Sequence, residues 1–115
     1  MKLKLKDNIF NAKIAANKKS QAIGMMGKKF NDEFNAMLFL TGGEKQSFWM
    51  KNCIIPLDII ILKNNVIINI HNNCPPCAGD NCPTYGGNGN MVLELYGGTC
   101  QKLGIEPGDV LEFLF

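Results

Sequence analysis

DIIILKNNVIINI, residues 58–70, sets two short apolar runs on either side of Lys63-Asn64-Asn65. Isoleucine and valine suit the pleated surface of a strand, and adjacent asparagines tolerate the left-handed backbone of a tight turn. The stretch therefore predicts a hairpin of two strands, Asp58–Leu62 and Val66–Ile70. Period-two patterning continues outward from it. Upstream, Lys2–Lys6 and Ile9–Ala15 read as strands about a turn at Asp7–Asn8. Ala36–Leu40 and Ser47–Asn52 follow, separated by the turn Thr41-Gly42-Gly43. Downstream, Met91–Leu95 and Val110–Leu114 are strands. Asn17 to Met26 reads as a short helix, N-capped by Asn17, with Ala22, Ile23 and Met26 on its apolar side and Gly27 at its end. Thr99–Leu103 is a helical turn stopped by LGIEPGD (103–109), in which Gly104 ends the helix and Pro107-Gly108 forms a type II turn. Gly86 to Asn90 looks the most mobile. So many short strands with one or two short helices predict a mostly β (α+β) fold, a small closed or half-closed β-barrel.

Composition narrows the function classes. At 115 residues, 46% hydrophobic and 19% charged, the chain has the size of one globular domain spanning residues 1–115, with a sizeable core. The net charge is +2, and all twelve basic residues are lysine. Without arginine the bidentate forks that read phosphate and guanine are missing, and the lysines are dispersed, so nucleic acid is not an expected partner. Lys2, Lys4 and Lys6 alternate with Leu3 and Leu5 as the solvated face of a strand. Abundant asparagine, lysine and isoleucine suggest an AT-rich genome, such as that of a phage or a pelagic bacterium. The N-terminus alternates lysine and leucine where a signal peptide needs a continuous apolar run, and no apolar run is long enough for a bilayer. A soluble, cytoplasmic or assembly-associated protein is expected, which sits awkwardly with disulfides because the cytosol keeps thiols reduced.

The second informative stretch is HNNCPPCAGDNCPTY, residues 71–85, which holds the only histidine and three of the five cysteines. Cysteines packed so closely serve as a disulfide staple, a metal site or a redox pair. Three prolines and Gly79 predict a loop throughout. His71, Cys74, Cys77 and Cys82 give H-x2-C-x2-C-x4-C, a donor set compatible with tetrahedral zinc. Against it, Pro75 and Pro76 remove backbone N–H groups that stabilise thiolates. A Cys74-Pro-Pro-Cys77 redox pair lacks the helix start and βαβ setting such a motif uses.

A third constellation is Trp49, Lys51, Asn52 and Asp58. As structure, Trp49 is a core residue and Asp58 a turn residue bonded to backbone. As a site, a lysine, an amide and a carboxylate near an aromatic make a polar ligand cleft, with Tyr85 reaching in from the cysteine loop. Catalysis has little to build on. The serines are Ser20 and Ser47, and His71 has no evident partner for a triad. Nothing in the spacing of Asp58, Glu94, Asp109 and Glu112 pairs two carboxylates for glycoside chemistry. The glycines at 86–89 precede a strand, so they form no phosphate cradle.

SFWMKNCIIPLD (47–58), PPCAGDNCPTY (75–85) and VLELYGGTCQKLGIEPGDVLEF (92–113) resemble, in order and spacing, the bacterial and archaeal family catalogued as domain of unknown function 192. GMMGK (24–28) and AMLFL (36–40) are similar to its glycine-leucine-methionine and glycine-methionine-leucine-phenylalanine elements, so the resemblance spans about residues 9–114. It implies a compact β-barrel-like fold with short flanking helices and no established activity. Many members also look exported, with an N-terminal signal. The resemblance sorts the cysteines. Cys77 and Cys82 fall where the family often has cysteine, and their Ala-Gly-Asp-Asn insert allows a bridge. Closing so short a loop contributes roughly 2 kcal/mol and mainly pins it in place. Cys53, Cys74 and Cys100 fall where threonine or alanine is common and read as small apolar residues. His71 and Cys74 have no counterpart, which weakens the zinc set. The Trp49–Asp58 block is the family's most characteristic one, yet it brings no named role.

The expected function is therefore a non-catalytic accessory binding or interaction module for a small molecule or protein partner, with no cofactor. A structural component of a virion or larger assembly is the alternative, and a zinc-supported or enzymatic module centred on residues 71–82 the third. Binding predicts a cleft containing Lys51, Asn52 and Asp58. Assembly predicts an exposed apolar patch or free strand edge, for which Lys2–Lys6 and Leu114-Phe115 are candidates. The third predicts bound zinc or a strongly shifted titration in the loop.

Overall fold

The computed structural model describes residues 1–114. In chain order its elements are β1 (Lys2–Leu5), β2 (Asn8–Ala15), α1 (Lys18–Ile23), β3 (Ala36–Phe39), β4 (Lys45–Trp49), β5 (Leu57–Lys63), β6 (Val66–Cys74), β7 (Thr84–Asn88), β8 (Met91–Tyr96), α2 (Thr99–Leu103) and β9 (Leu111–Phe113). The β5–β6 hairpin turns through Asn64 and Asn65 at φ 51° and 67°, the two positive values a two-residue primed turn requires. β1 and β2 are joined in the same way by Lys6 and Asp7, one residue earlier than the sequence suggests.

Seven strands form one curled sheet in the order β6-β5-β8-β3-β2-β1-β9, antiparallel except for the parallel pair β2–β3, whose crossover carries α1. The two edges meet at one end. Val66 bridges Val110, Ile67 N donates to Asp109 O at 2.9 Å, and Gly108 N donates to Ile67 O at 2.8 Å. The expected barrel is thus half-closed. β4 and β7 form a separate two-stranded ribbon laid against the outer face of β5 and β6.

Burial follows from this layering. Leu3, Leu5, Leu38, Ile60, Leu62 and Leu93 pack inside the curl. Met37, Phe39, Met50, Ile59, Ile61 and Val92 pack outside it, beneath the ribbon. β3 and the central strands β5 and β8 are consequently covered on both faces, which is why Ile59 to Leu62 is a continuous apolar run where a strand solvated on one face would alternate.

Several local expectations need correction. α1 is capped by Asn17, whose side chain accepts from Ser20 N, but it ends at Gly24 and buries none of its own residues. Ala22 and Ile23 are exposed, and Met25, just past the helix, is the residue that enters the core. β4 stops at Trp49, because Asn52 takes φ 60° and turns the chain. His71 to Cys74 belongs to β6 and is not loop, since the prolines begin only at Pro75, beyond the end of this edge strand. Gly86–Asn88 is paired strand. A Cβ at Gly86 would stand 2.6 Å from the Gln46 carbonyl oxygen, so close approach to β4, and not mobility, accounts for that glycine. β1 lies between β2 and β9, so Lys2–Lys6 offers no free edge; Phe115 lies outside the described residues.

Candidate functional site

Register on β8 determines the site. Glu94 sits opposite Met37 of β3 and Ile59 of β5, so its side chain projects from the outer face among apolar neighbours. It is 3% exposed, and its carboxyl group makes no hydrogen bond among the described residues. Burial without compensation pushes this acid from its ordinary 4.5 up to about 8. Above it lies a cavity of about 400 Å³ between the α1–Met26 segment and β4. Its apolar wall includes Met25, Met26, Phe39, Phe48 and Trp49, with Thr41, Cys53 and Glu94 as polar members. The Thr41 hydroxyl is also buried without a partner. A buried polar group without a partner is unusual, since most buried polar atoms are hydrogen-bonded. Of the other polar wall residues, Lys45 and Ser47 are exposed, while Gln46 and Gln21 are bonded to backbone. Gln46 Nε2 donates to Gly42 O and Gly89 O, both at 2.9 Å, and Gln21 Nε2 donates to Ala15 O and Leu40 O, both at 3.1 Å.

The residues singled out from sequence are not all brought together. Trp49 lines the cavity and is 44% exposed, so it is a rim residue where a core role was the structural expectation. Lys51 Nζ stands 5.5 Å over the Trp49 ring and 3.4 Å from Asp80 of the cysteine loop. Asn52 contributes backbone: its N–H donates to Cys77 O at 2.9 Å and its carbonyl accepts from Gly27 N at 2.8 Å. Tyr85 faces inward from β7, its ring 5.5 Å from that of His71, and burial, with Cys74 nearby, raises its phenol. Asp58 points to the opposite face from Glu94, fully buried. Its carboxylate accepts from Asn73 N at 2.7 Å, Gly98 N at 3.0 Å and Cys100 N at 2.8 Å. Backbone bonding was expected for Asp58, but in a strand and not a turn, and the residue is closed to a ligand.

Cys77 and Cys82 form a disulfide with Cα atoms 5.8 Å apart. It commits two of the four sulfur or nitrogen donors of the proposed zinc set. His71 Nε2 lies 2.7 Å from Gly86 O, and because a carbonyl only accepts, this nitrogen carries the proton. Cys74 Sγ donates to His71 O at 3.4 Å. The four groups therefore do not converge, and no cluster of three or more metal-ligating side chains occurs among the described residues. The bridged loop is tied to the site through Cys77 N, which donates to Met50 O at 3.2 Å. The free thiols are held neutral: Cys53 is pushed up to about 11 by burial and then by Glu94, Cys74 to about 11 by burial first, and Cys100 to about 12.

Glu94 and Thr41 are the members that sequence reasoning missed. The signal for Glu94 was its place in MVLEL, a single acid inside an apolar strand run. For Thr41 there was none, because a threonine before two glycines reads as a turn. A second cavity of about 400 Å³, bounded by Glu44, Lys45, Lys63 and the 88–90 turn, has exposed charges of both signs and no buried polar group.

Among the described residues no helix is long and apolar enough to cross a membrane. No curated protein matches the chain. Two solved structures share its fold. A protein of unknown function from Novosphingobium aromaticivorans DSM 12444 is 32% identical with a TM-score of 0.83, over 97% of this chain and 84% of that one. A Sinorhizobium meliloti 1021 protein described as a candidate transcription regulator is 28% identical with a TM-score of 0.84, over 96% and 91%. Both are bacterial, and nothing here supports a phage origin. The family model for domain of unknown function 192, described as uncharacterised ACR, matches residues 1–113. The half-closed sheet, the Trp49–Asp58 block and the bridged loop therefore stand in a molecule that belongs to that family.

Proposed function

We propose that the protein is a non-catalytic binding module whose small-molecule ligand lodges between α1 and β4, above Glu94. The observation that carries this reading is the Glu94 carboxyl, 3% exposed and without a hydrogen bond among the described residues, in the wall of a cavity whose lining mixes aromatic, apolar and polar residues. Small-molecule sites combine apolar and aromatic walls with a few placed polar groups, and about 400 Å³ suits a ligand of one or two rings. Trp49 and Lys51 provide the rim, while Asn52 and the bridged loop hold it. Chemistry is poorly served, because Cys53 is a neutral thiol and Glu94 is the sole carboxyl in the wall. A regulator's DNA contacts are not carried over from the Sinorhizobium protein, since a +2 chain without arginine is poorly equipped for them.

The test is a ligand-observed NMR screen of small ring compounds against the wild type and Ala22→Trp. Ala22 is an exposed wall residue on α1, and tryptophan there blocks the mouth without emptying the core. Binders of the wild type should lose their signal with the variant. A screen without binders, or binders indifferent to Ala22→Trp, would sink the proposal.

A further inference from the structure

Resting on that reading, we infer that the cavity takes an organic cation: a protonated nitrogen seated on the Glu94 carboxylate and an apolar body held among Phe39, Phe48 and Trp49.

A carboxyl group does here what an amide of the same shape cannot. Glutamine at position 94 would hydrogen-bond a neutral ligand equally well and could be buried without any ionisation penalty. A buried, unpartnered acid destabilises the fold whenever it ionises. Its distinctive capacity is to accept a positive charge, and a charge-assisted hydrogen bond is roughly twice as strong as a neutral one. The walls point the same way. Phe39 and Phe48 stand edge to face with centroids 4.9 Å apart, and Trp49 adds a third ring, so aromatic surface flanks the acid. Aromatic rings attract cations through their quadrupoles, and rings grouped around a pocket recognise ammonium groups. Met25 and Met26 contribute polarizable sulfur.

The charged and titratable groups around Glu94 are few. From β3 and β5 its cross-strand neighbours are Met37 and Ile59, which carry no charge. The turn after β4 brings Cys53 and the end of β6 brings Cys74, both neutral thiols pushed up in part by Glu94 itself. α1 contributes Gln21, Ala22 and Ile23 to the wall, all uncharged. β4 contributes Lys45, which is exposed, and just beyond β4 Lys51 holds its ammonium 5.5 Å over the Trp49 ring at the rim. Solvent and salt screen these rim lysines more than they screen a buried carboxylate, so the buried charge governs selection. An anion would find no cation at the floor.

Binding a cation would draw the proton off Glu94, so affinity and pH are linked. With free Glu94 titrating at about 8, affinity for an amine should rise about tenfold per pH unit below that value and level off above it. Close to one proton should be released per amine bound at pH 7.

The test uses matched probes: 2-phenylethylamine, 2-phenylethanol and 3-phenylpropanoate, together with their naphthyl counterparts. Each is titrated against wild type, Glu94→Gln and Ala22→Trp from pH 6 to 9, with amide chemical shifts as the readout. The amines should bind most tightly, gain affinity with pH up to about 8, and lose about tenfold or more with Glu94→Gln, while the alcohols keep theirs. Alcohols or carboxylates binding as tightly as amines, or amine affinity unaffected by pH and by Glu94→Gln, would overturn the cation assignment and leave the binding module standing. No binding by any probe, or binding unchanged by Ala22→Trp, would overturn both.

Discussion

Replacing Glu94 by glutamine should stabilise this protein, by an amount set by pH. The folded carboxyl titrates at about 8 against an ordinary 4.5. An acid raised on folding keeps its proton longer in the native state, so stability is full below the ordinary value, falls as pH rises through the window between the two, and is flat above the folded value. The slope within the window is about 1.4 kcal/mol per pH unit. Between pH 5 and 7 that amounts to roughly 3 kcal/mol, and across the whole window to roughly 5 kcal/mol. Glutamine has nearly the same shape and does not titrate. The difference between variant and wild type should therefore be small at pH 5, about 3 kcal/mol at pH 7, and largest above pH 8. Every other titrating group is common to both proteins, and the thiols of Cys53 and Cys74, which Glu94 also pushes up, stay protonated in the folded protein through this range. Urea unfolding followed by far-UV circular dichroism, without reductant, measures the difference at each pH. For urea slopes typical of small domains the midpoint at pH 7 should move upward by ~1–3 M. A difference that is constant from pH 5 to 9, or that shrinks as pH rises, would refute the argument that Glu94 is buried without a partner.

Three other substitutions probe neighbouring parts of the account. Asp58→Ala leaves the N–H groups of Asn73, Gly98 and Cys100 without their acceptor and should cost about 3 kcal/mol or more in denaturant titrations; a loss below about 1 kcal/mol would contradict its structural role. Cys82→Ser opens the Cys77–Cys82 loop and should cost no more than about 2 kcal/mol while preserving the circular dichroism spectrum, and intact mass of the wild type should rise by about two units on reduction. Trp49→Ala should lower stability by less than about 1 kcal/mol, since the ring sits at a rim, whereas Gly86→Ala should cost several times more by driving a methyl group against the Gln46 carbonyl.

The fold was largely legible because its signals are local. Alternation marks the strands, and paired asparagines mark the β5–β6 turn. What escaped detection was tertiary. His71 looks like loop but pairs with Ile59 of β5, and a bulge in which Asn73 takes φ 50° carries the strand on to Cys74. Gly86 looks mobile until β4 is seen to crowd it. The bridge between Cys77 and Cys82 could be anticipated only through family resemblance, since spacing alone allowed zinc as well. The site was the least visible part. Trp49 was found, but Asp58 and Glu94 are acids in adjacent strands whose roles depend on one residue of register. Asp58 faces three backbone donors and becomes a structural anchor, while Glu94 faces a cavity and is left unpaired.

The most direct test is the titration of the Glu94 side-chain carboxyl carbon by NMR, in the free protein and with saturating 2-phenylethylamine. The expected midpoint lies near 8 in the free protein and falls by two units or more with the amine bound. A free midpoint near the ordinary 4.5, or a raised midpoint that the amine leaves in place, would contradict it.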